Sequence, residues 1–225
     1  PARLGRLSAF ETWITANKIP VGDAATTFVE YTKKHARGLF DGIAAVLTGS
    51  TNVVARILNG VPAPALILLI AGLAWVLRRS LGLVVFVVLS LLFIMNQGYW
   101  DATLETLTLV LVAAMVATVI GVPLGIWGAK KPRVYAAMRP VLDLMQTLPT
   151  FVYLTPTLVL FGLGIVPGLI STIIFALPAP IRLTQLGIAS VPKTLREAGQ
   201  AFGATPLQLL FKVELPSARL MILAG

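Results

Sequence analysis

Pro192-Lys-Thr-Leu-Arg196-Glu197-Ala-Gly199-Gln-Ala-Phe202-Gly203-Ala-Thr205-Pro-Leu-Gln208-Leu-Leu-Phe-Lys-Val213-Glu-Leu-Pro216 is a polar island in a very apolar second half of the chain. Thr194 followed three residues later by Glu197 has the spacing of a capping box that opens a short helix. Gly203 is placed as the left-handed residue that closes that helix at about Phe202. Thr205 is a second N-cap, with Pro206 in the first helical position and Gln208 in the third, and the second helix is expected to run to about Glu214. Pro216 falls where a helix ends or the next begins. Leu195, Ala198 and Phe202 share one side of the first helix, and Leu207, Leu210 and Phe211 one side of the second. A helix-turn-helix of this kind, set in a loop between membrane spans, carries apolar surface that needs a partner.

The composition puts that loop in a membrane protein. The chain is 57% hydrophobic and 12% charged, with a mean hydropathy of +0.88, which is far outside the globular range and predicts an all-α polytopic membrane fold. Cysteine is absent, which excludes a disulfide framework, thiol catalysis and cysteine metal sites. The single histidine, His35, has no second histidine to share a metal with and is expected at the surface.

Working outward, residues 1–60 form a distinct N-terminal region and residues 61–225 the transmembrane domain, with the loop at 191–216. The first region contains no run of about 18 apolar residues and no signal-peptide core, and Pro1 points to a trimmed chain or a fragment. Helical spacing recurs at Phe28, Tyr31, His35, Leu39, Ile43, Val46 and Leu47. It fits an amphipathic helix on the membrane or on the spans, and equally one in a small soluble subdomain. Five spans are then expected. They are Pro62–Leu77; Leu81–Met95; Ala102–Ala129, interrupted at Gly121-Val-Pro123; Pro140–Phe161, broken by Pro149 and Pro156; and Pro167–Ser190, broken by Pro178 and Pro180. Ser217 starts a sixth that is incomplete at Gly225, so the natural chain is expected to continue.

Charge orients these spans. Arg78, Arg79, Lys130, Lys131, Arg133 and Arg139 occupy two of the connections, and Arg182, Lys193, Arg196, Lys212 and Arg219 surround the island. The connections 96–101 and 162–167 contain no basic residue. The positive-inside rule places the basic loops and the island in the cytoplasm, and counting back places the N-terminus outside. The net charge of +9 is therefore a device of membrane orientation and not a nucleic-acid surface.

Enzymatic chemistry has little support. No Gly-x4-Gly-Lys-Ser/Thr phosphate loop, HExxH or Gly-x-Ser-x-Gly is present, so no catalytic or metal residue is assigned. Asp101 and Glu105, one helical turn apart, read as an acid/base pair only weakly against solvated residues at a helix start. Asp143, four after Arg139, is expected to pair with it. Arg182 is open to two readings, a functional intramembrane charge or a side chain snorkelling to the cytoplasmic surface. The clustered prolines free backbone groups that only protein or a watery cavity can satisfy. On that ground Gln146, Pro149, Tyr153, Pro156, Pro178, Pro180 and Arg182 are candidates for lining a translocation pathway.

The island resembles the cytoplasmic "EAA" loop of bacterial ABC-importer permeases. Glu197, Ala198, Gly203, Leu215 and Pro216 match it, Val213 stands for Ile, and Gly199 replaces the second Ala. Met145-Gln-Thr-Leu-Pro-Thr-Phe-Val-Tyr-Leu, Phe161-Gly-Leu-Gly-Ile-Val-Pro-Gly, Ile174-Phe-Ala-Leu-Pro and Pro180-Ile-Arg-Leu-Thr extend the likeness to permeases of the glycine betaine/proline/choline importers. The resemblance implies a permease homodimer in the lipid of a bacterial plasma membrane. It also implies a cytoplasmic subunit that holds ATP and Mg, with no cofactor on this chain, and an extracytoplasmic solute-binding protein. The loop is then a coupling helix, docked through Arg196, Glu197, Phe202 and Gly203. The competing function is an ATP-independent secondary transporter or channel, which calls for buried acids or inverted repeats.

Overall fold

The computed structural model describes residues 21–225. The expectation that no signal peptide opens the chain lies outside the described residues. Packing divides the chain into two compact units, Pro1–Ile43 and Ala44–Gly225. The expected division at residue 60 coincides instead with the end of a helix. Among the described residues every regular element is helical.

In the first unit the expected amphipathic stripe falls on two helices, α1 (Val21–His35) and the opening turns of α2 (Arg37–Asn59), with a break at Ala36. His35 is exposed as expected, with its ring stacked on Tyr31 at 4.0 Å.

The second unit holds the rest of α2, α3 (Ala63–Arg78), α4 (Leu81–Asn96), α5 (Trp100–Lys130), α6 (Pro132–Thr147), α7 (Thr150–Phe161), α8 (Ile165–Ala176) and α9 (Pro178–Ala189). α10 (Lys193–Ala201), α11 (Pro206–Leu209), a π-turn over Leu210–Glu214 and α12 (Leu215–Leu223) follow. α2 buries Leu47 beside Val112 and Ala113 of α5 and Leu169 and Ile173 of α8. The part of α2 within this unit is therefore packed on the spans. α2, α5 and the continuous helix Ile165–Ala189 are each long and apolar enough to cross a membrane. α3 and α4 form an antiparallel pair of 16 residues each, about 24 Å at 1.5 Å per residue against a core of about 30 Å.

The proline-rich segments depart from expectation in opposite directions. α5 is not interrupted at Gly121-Val-Pro123 but runs through it for 31 residues. α8 and α9 are not broken by Pro178 and Pro180, because both prolines fall in the opening turn of α9, while Leu177 keeps a helical φ of −54°. The fourth segment does not begin at Pro140, which lies inside α6, and it is bent by 96° between α6 and α7. The cause is local. Leu148 precedes a proline and takes the extended ψ of 135° such residues prefer, and Pro149 then caps α7.

α5 and α9 approach most closely where α5 presents glycine. A Cβ on Gly121 would lie 2.7 Å from Pro180 Cγ, and one on Gly125 would lie 2.6 Å from the Ile181 carbonyl oxygen. Small residues let membrane helices meet backbone to backbone, which replaces the hydrophobic drive that lipid cannot supply. α9 packs in turn on α12, where a Cβ on Gly187 would meet the Ala218 Cβ at 3.2 Å.

Candidate functional site

The loop follows directly from α9. Val191 is buried, and Pro192, with ψ of 136°, is the N-cap of α10. The expected capping box of Thr194 and Glu197 is therefore not formed. The helix already includes Lys193, and Thr194 sits inside it with its side chain exposed. A proline with an extended ψ starts the helix without a side-chain acceptor, so the Thr-x-x-Glu spacing carries no cap here.

The close of α10 is as expected. Gly203 has φ of +75°, its amide donates to the Gln200 carbonyl at 2.9 Å and the Ala204 amide to the Gly199 carbonyl at 3.0 Å, the paired bonds of a Schellman motif. Thr205 then forms the expected capping box: its Oγ1 accepts from the Gln208 amide at 3.3 Å, and its own amide donates to Gln208 Oε1 at 2.9 Å. Gly199, which departs from the family's alanine, lies where a Cβ would come within 2.8 Å of Leu209 Cδ1. The missing methyl lets α10 settle on α11.

The second helix does not stop at Glu214. It widens into a π-turn in which the Leu215 amide reaches back to the Leu210 carbonyl, and continues as α12 with Pro216 in its first turn. Pro216 has no N–H and its ring crowds the preceding turn, and one extra residue in the turn relieves both.

That widening brings Glu214 inward, where it is only 2% exposed. Lys130, at the end of α5, places Nζ 2.5 Å from Oε2, and Arg196, on α10, places Nε 3.2 Å from Oε1. Arg196 also donates from Nη2 to the carbonyl of Ile188 in the last turn of α9. One buried carboxylate thus joins the loop to the C-terminal ends of α5 and α9. Sequence reading assigned Glu214 only as a helix end. The signal available was an acid beside Pro216, with Lys130 at the end of the adjacent glycine-rich span.

The outer face of the loop is apolar and uncovered. Phe202 is 93% exposed, and Leu195, Leu207 and Phe211 are exposed with it. Leu195, Ala198, Gly199, Phe202, Val213 and Pro216 contribute to a groove of about 740 Å³ that opens on this face. Glu197 is exposed beside them, whereas Arg196 is turned inward. Leu215 is half-buried.

The pathway candidates are not gathered in one place. Pro178 and Pro180 are buried, Pro180 against α5, while Gln146, Pro149 and Pro156 lie on exposed surface of α6 and α7. Tyr153 is half-buried and donates its hydroxyl to the Leu144 carbonyl across the bend at 3.3 Å. Asp143 does not form its ion pair with Arg139. It takes Arg182 Nη2 at 2.5 Å, tying α6 to α9, because the bend after α6 carries that helix alongside α9. Asp101 and Glu105 are exposed and line, with Asn52 and Asn59, a cavity of about 330 Å³ between α2 and α5. Among the described residues no group of acidic, histidine or cysteine side chains is placed to hold a metal.

Fold and loop together define a multi-pass membrane transport subunit. Residues 121–225 match the family of binding-protein-dependent transport system inner membrane components. The chain is 44% identical over 208 residues to the glycine betaine transport system permease protein OpuAB of Bacillus subtilis (strain 168), covering 92% of this chain and 73% of that protein. It is 46% identical over 207 residues to the glycine betaine/proline betaine transport system permease protein ProW of Escherichia coli (strain K12), covering 92% of this chain and 58% of that one. It is also 44% identical over 201 residues to the glycine betaine/carnitine transport permease protein GbuB of Listeria monocytogenes (serotype 1/2a, strain 10403S), covering 83% of this chain and 71% of that protein. The chain belongs to the glycine betaine-type ABC importer permeases, and is a permease subunit rather than an enzyme.

Proposed function

We propose that this chain carries a compatible solute of the betaine class (glycine betaine, proline betaine, choline or proline) across the plasma membrane, driven by ATP hydrolysed with Mg on a separate cytoplasmic subunit. The observation that carries the reading is the loop at 191–216, whose apolar outer face is exposed although its inner face is fixed to the spans. Phe202, Leu195 and Glu197 offer the ATPase subunit an apolar anchor with one charge to orient it. Closure of the ATPase pair would then move the loop, and with it α5 and α9, as one rigid body. An extracytoplasmic binding protein would deliver the solute. A second copy of the chain would cover Gln146, Pro149 and Pro156, completing with Tyr153 and Arg182 a pathway between two permeases. A zwitterionic or quaternary solute needs no strongly charged channel, in keeping with spans that hold few charges.

The N-terminus lies outside in this reading. Such a placement requires α2 to stop short of a full crossing, and the polar run Thr48-Gly-Ser-Thr-Asn52 at its middle favours that. Cysteines introduced at Thr26 and Gln208 of this cysteine-free chain would react with an impermeant thiol reagent from outside and from inside, respectively; the reverse pattern inverts the topology.

Gly203→Val tests the coupling role. Nothing lies within 4 Å of a Cβ at this position, so the cost is only that of a β-branched residue at φ of +75°, roughly 1–2 kcal/mol. In vesicles containing the permease, its ATPase subunit and its binding protein, glycine betaine uptake should fall relative to ATP hydrolysis while the assembly stays intact by gel filtration. Wild-type uptake with the ATPase bound would refute the assignment.

A further inference from the structure

We propose that Glu214 is a positioning residue for energy coupling: its buried carboxylate, held between Lys130 and Arg196, is the latch through which movement of the loop reaches α5 and α9. The inference rests on the coupling reading of the loop and goes beyond it. The coupling reading names a loop that moves but gives no account of what the loop pulls on.

The geometry limits what else Glu214 could do. It is 2% exposed, so it cannot meet a partner subunit. Its two oxygens each face a different cation, Lys130 at 2.5 Å and Arg196 at 3.2 Å, and its burial keeps a solute from it. The three residues come from three elements, the end of α5, the middle of α10 and the π-turn; α10 already packs beside the π-turn through Gly199 against Leu209 and Val213, so what the carboxylate adds is the tie to α5. Arg196 adds a fourth through the Ile188 carbonyl at the end of α9.

A carboxylate shielded from water between two partly exposed cations is an asymmetric arrangement. Removing its charge leaves Lys130 and Arg196 facing one another across a site with nothing to hold them, whereas either cation alone can turn to solvent. Breaking one partner from a buried pair is costly because the remaining charge is uncompensated. Glu214 is therefore the member whose loss should free the loop from the spans. The π-turn belongs to the same device. One residue inserted in the turn shifts the register between the helix before it and α12 by about 100°, so the π-turn sets which way its residues face relative to both.

Beyond the latch, α5 and α9 meet through Gly121 and Gly125 with no space for a Cβ. A pull on Lys130 and Ile188 is thus applied to two helices already locked together, and neither can slip past the other. The latch transmits displacement and consumes none of it in local rearrangement.

The test uses the complete assembly in vesicles, with glycine betaine as the probe and uptake per ATP hydrolysed as the readout. A residue that only supports the fold would lower the amount of assembly and both rates in step, leaving that ratio alone. Glu214→Gln, which keeps shape and removes charge, should lower the ratio by about tenfold. Glu214→Asp keeps the charge and should restore most of it. A wild-type ratio in Glu214→Gln overturns the proposal, as does a ratio equally low in Glu214→Asp. Should Glu214→Gln fail to assemble, Lys130→Gln decides, because Lys130 is 40% exposed and Arg196 remains beside the carboxylate: a ratio lowered about threefold supports the latch, and an unchanged ratio overturns it. Gly203→Val in parallel separates the two claims. If it uncouples while the Glu214 and Lys130 variants do not, the latch falls and the docking loop stands. If neither the latch variants nor Gly203→Val uncouple, the coupling reading of the loop falls and the latch falls with it.

Discussion

Gly125→Ala puts a single methyl into the interface on which the transmission depends. The added Cβ would sit 2.6 Å from the Ile181 carbonyl oxygen and 2.6 Å from Thr184 Cβ, where ordinary contact begins at 3.4 Å. The obstacle includes backbone of α9, so it cannot be relieved by a rotamer change, and α5 and α9 must separate by about 0.8 Å. Overpacking a well-filled interface costs about 1–3 kcal/mol, and a backbone obstacle belongs in the upper part of that range. Gly72→Ala on α3 is the matched control, since nothing lies within 4 Å of a Cβ there and the exchange gains up to about 1 kcal/mol of helix propensity. The two variants should differ in thermal midpoint by several degrees in the same detergent, at about 2–4 °C per kcal/mol for a chain of this size. Equal midpoints would refute the close approach of α5 and α9, and the rigid-pair argument with it.

Two other outcomes follow from the loop and its continuation. Thr205→Ala removes the capping box and should cost about 1 kcal/mol locally, read as faster amide exchange over residues 207–209 with the spans unaffected; unchanged exchange there would contradict the cap. Gly187→Cys combined with Ala218→Cys should form a disulfide under mild oxidation, because the two Cβ positions are 3.2 Å apart and bridged cysteines have theirs about 3.5–4.5 Å apart. The cysteine-free background leaves no competing thiol, so failure to bridge would show that α12 does not pack on α9.

Much of the fold was legible because lipid makes demands that composition answers directly. Every backbone group in a bilayer needs an internal partner, so apolar segments had to be helices, and basic loops had to mark one side. The turn at Gly203 and the cap at Thr205 were legible for a related reason: each is set by the chemistry of residues within three positions. What escaped were decisions made by packing between distant segments. Thr194 and Glu197 have capping-box spacing, but Pro192 had already opened the helix two residues earlier. Pro149 and Pro178 look alike in sequence. Pro149 follows a residue that adopted the extended conformation, and Pro178 follows one held helical in the middle of a packed bundle. Asp143 has Arg139 one turn away and is nevertheless paired with Arg182, 39 positions on.

Glu214 is the instructive case for the site itself. In sequence it is one acid in a polar loop, two residues before a proline and with no basic residue three or four positions away along its own helix. Local rules would leave it in solvent. It is buried because the π-turn at Pro216 redirects it, and it is tolerated there because Lys130, 84 positions earlier, ends α5 at the same place. Neither fact follows from a window of neighbouring residues. The apolar face of the loop, by contrast, was readable from helical spacing, since exposure there is what remains when no element of the same chain covers it. The loop therefore has two kinds of residue: an outer set recognisable by pattern, left uncovered by this chain, and an inner set recognisable only in the fold, which ties the loop to α5 and α9.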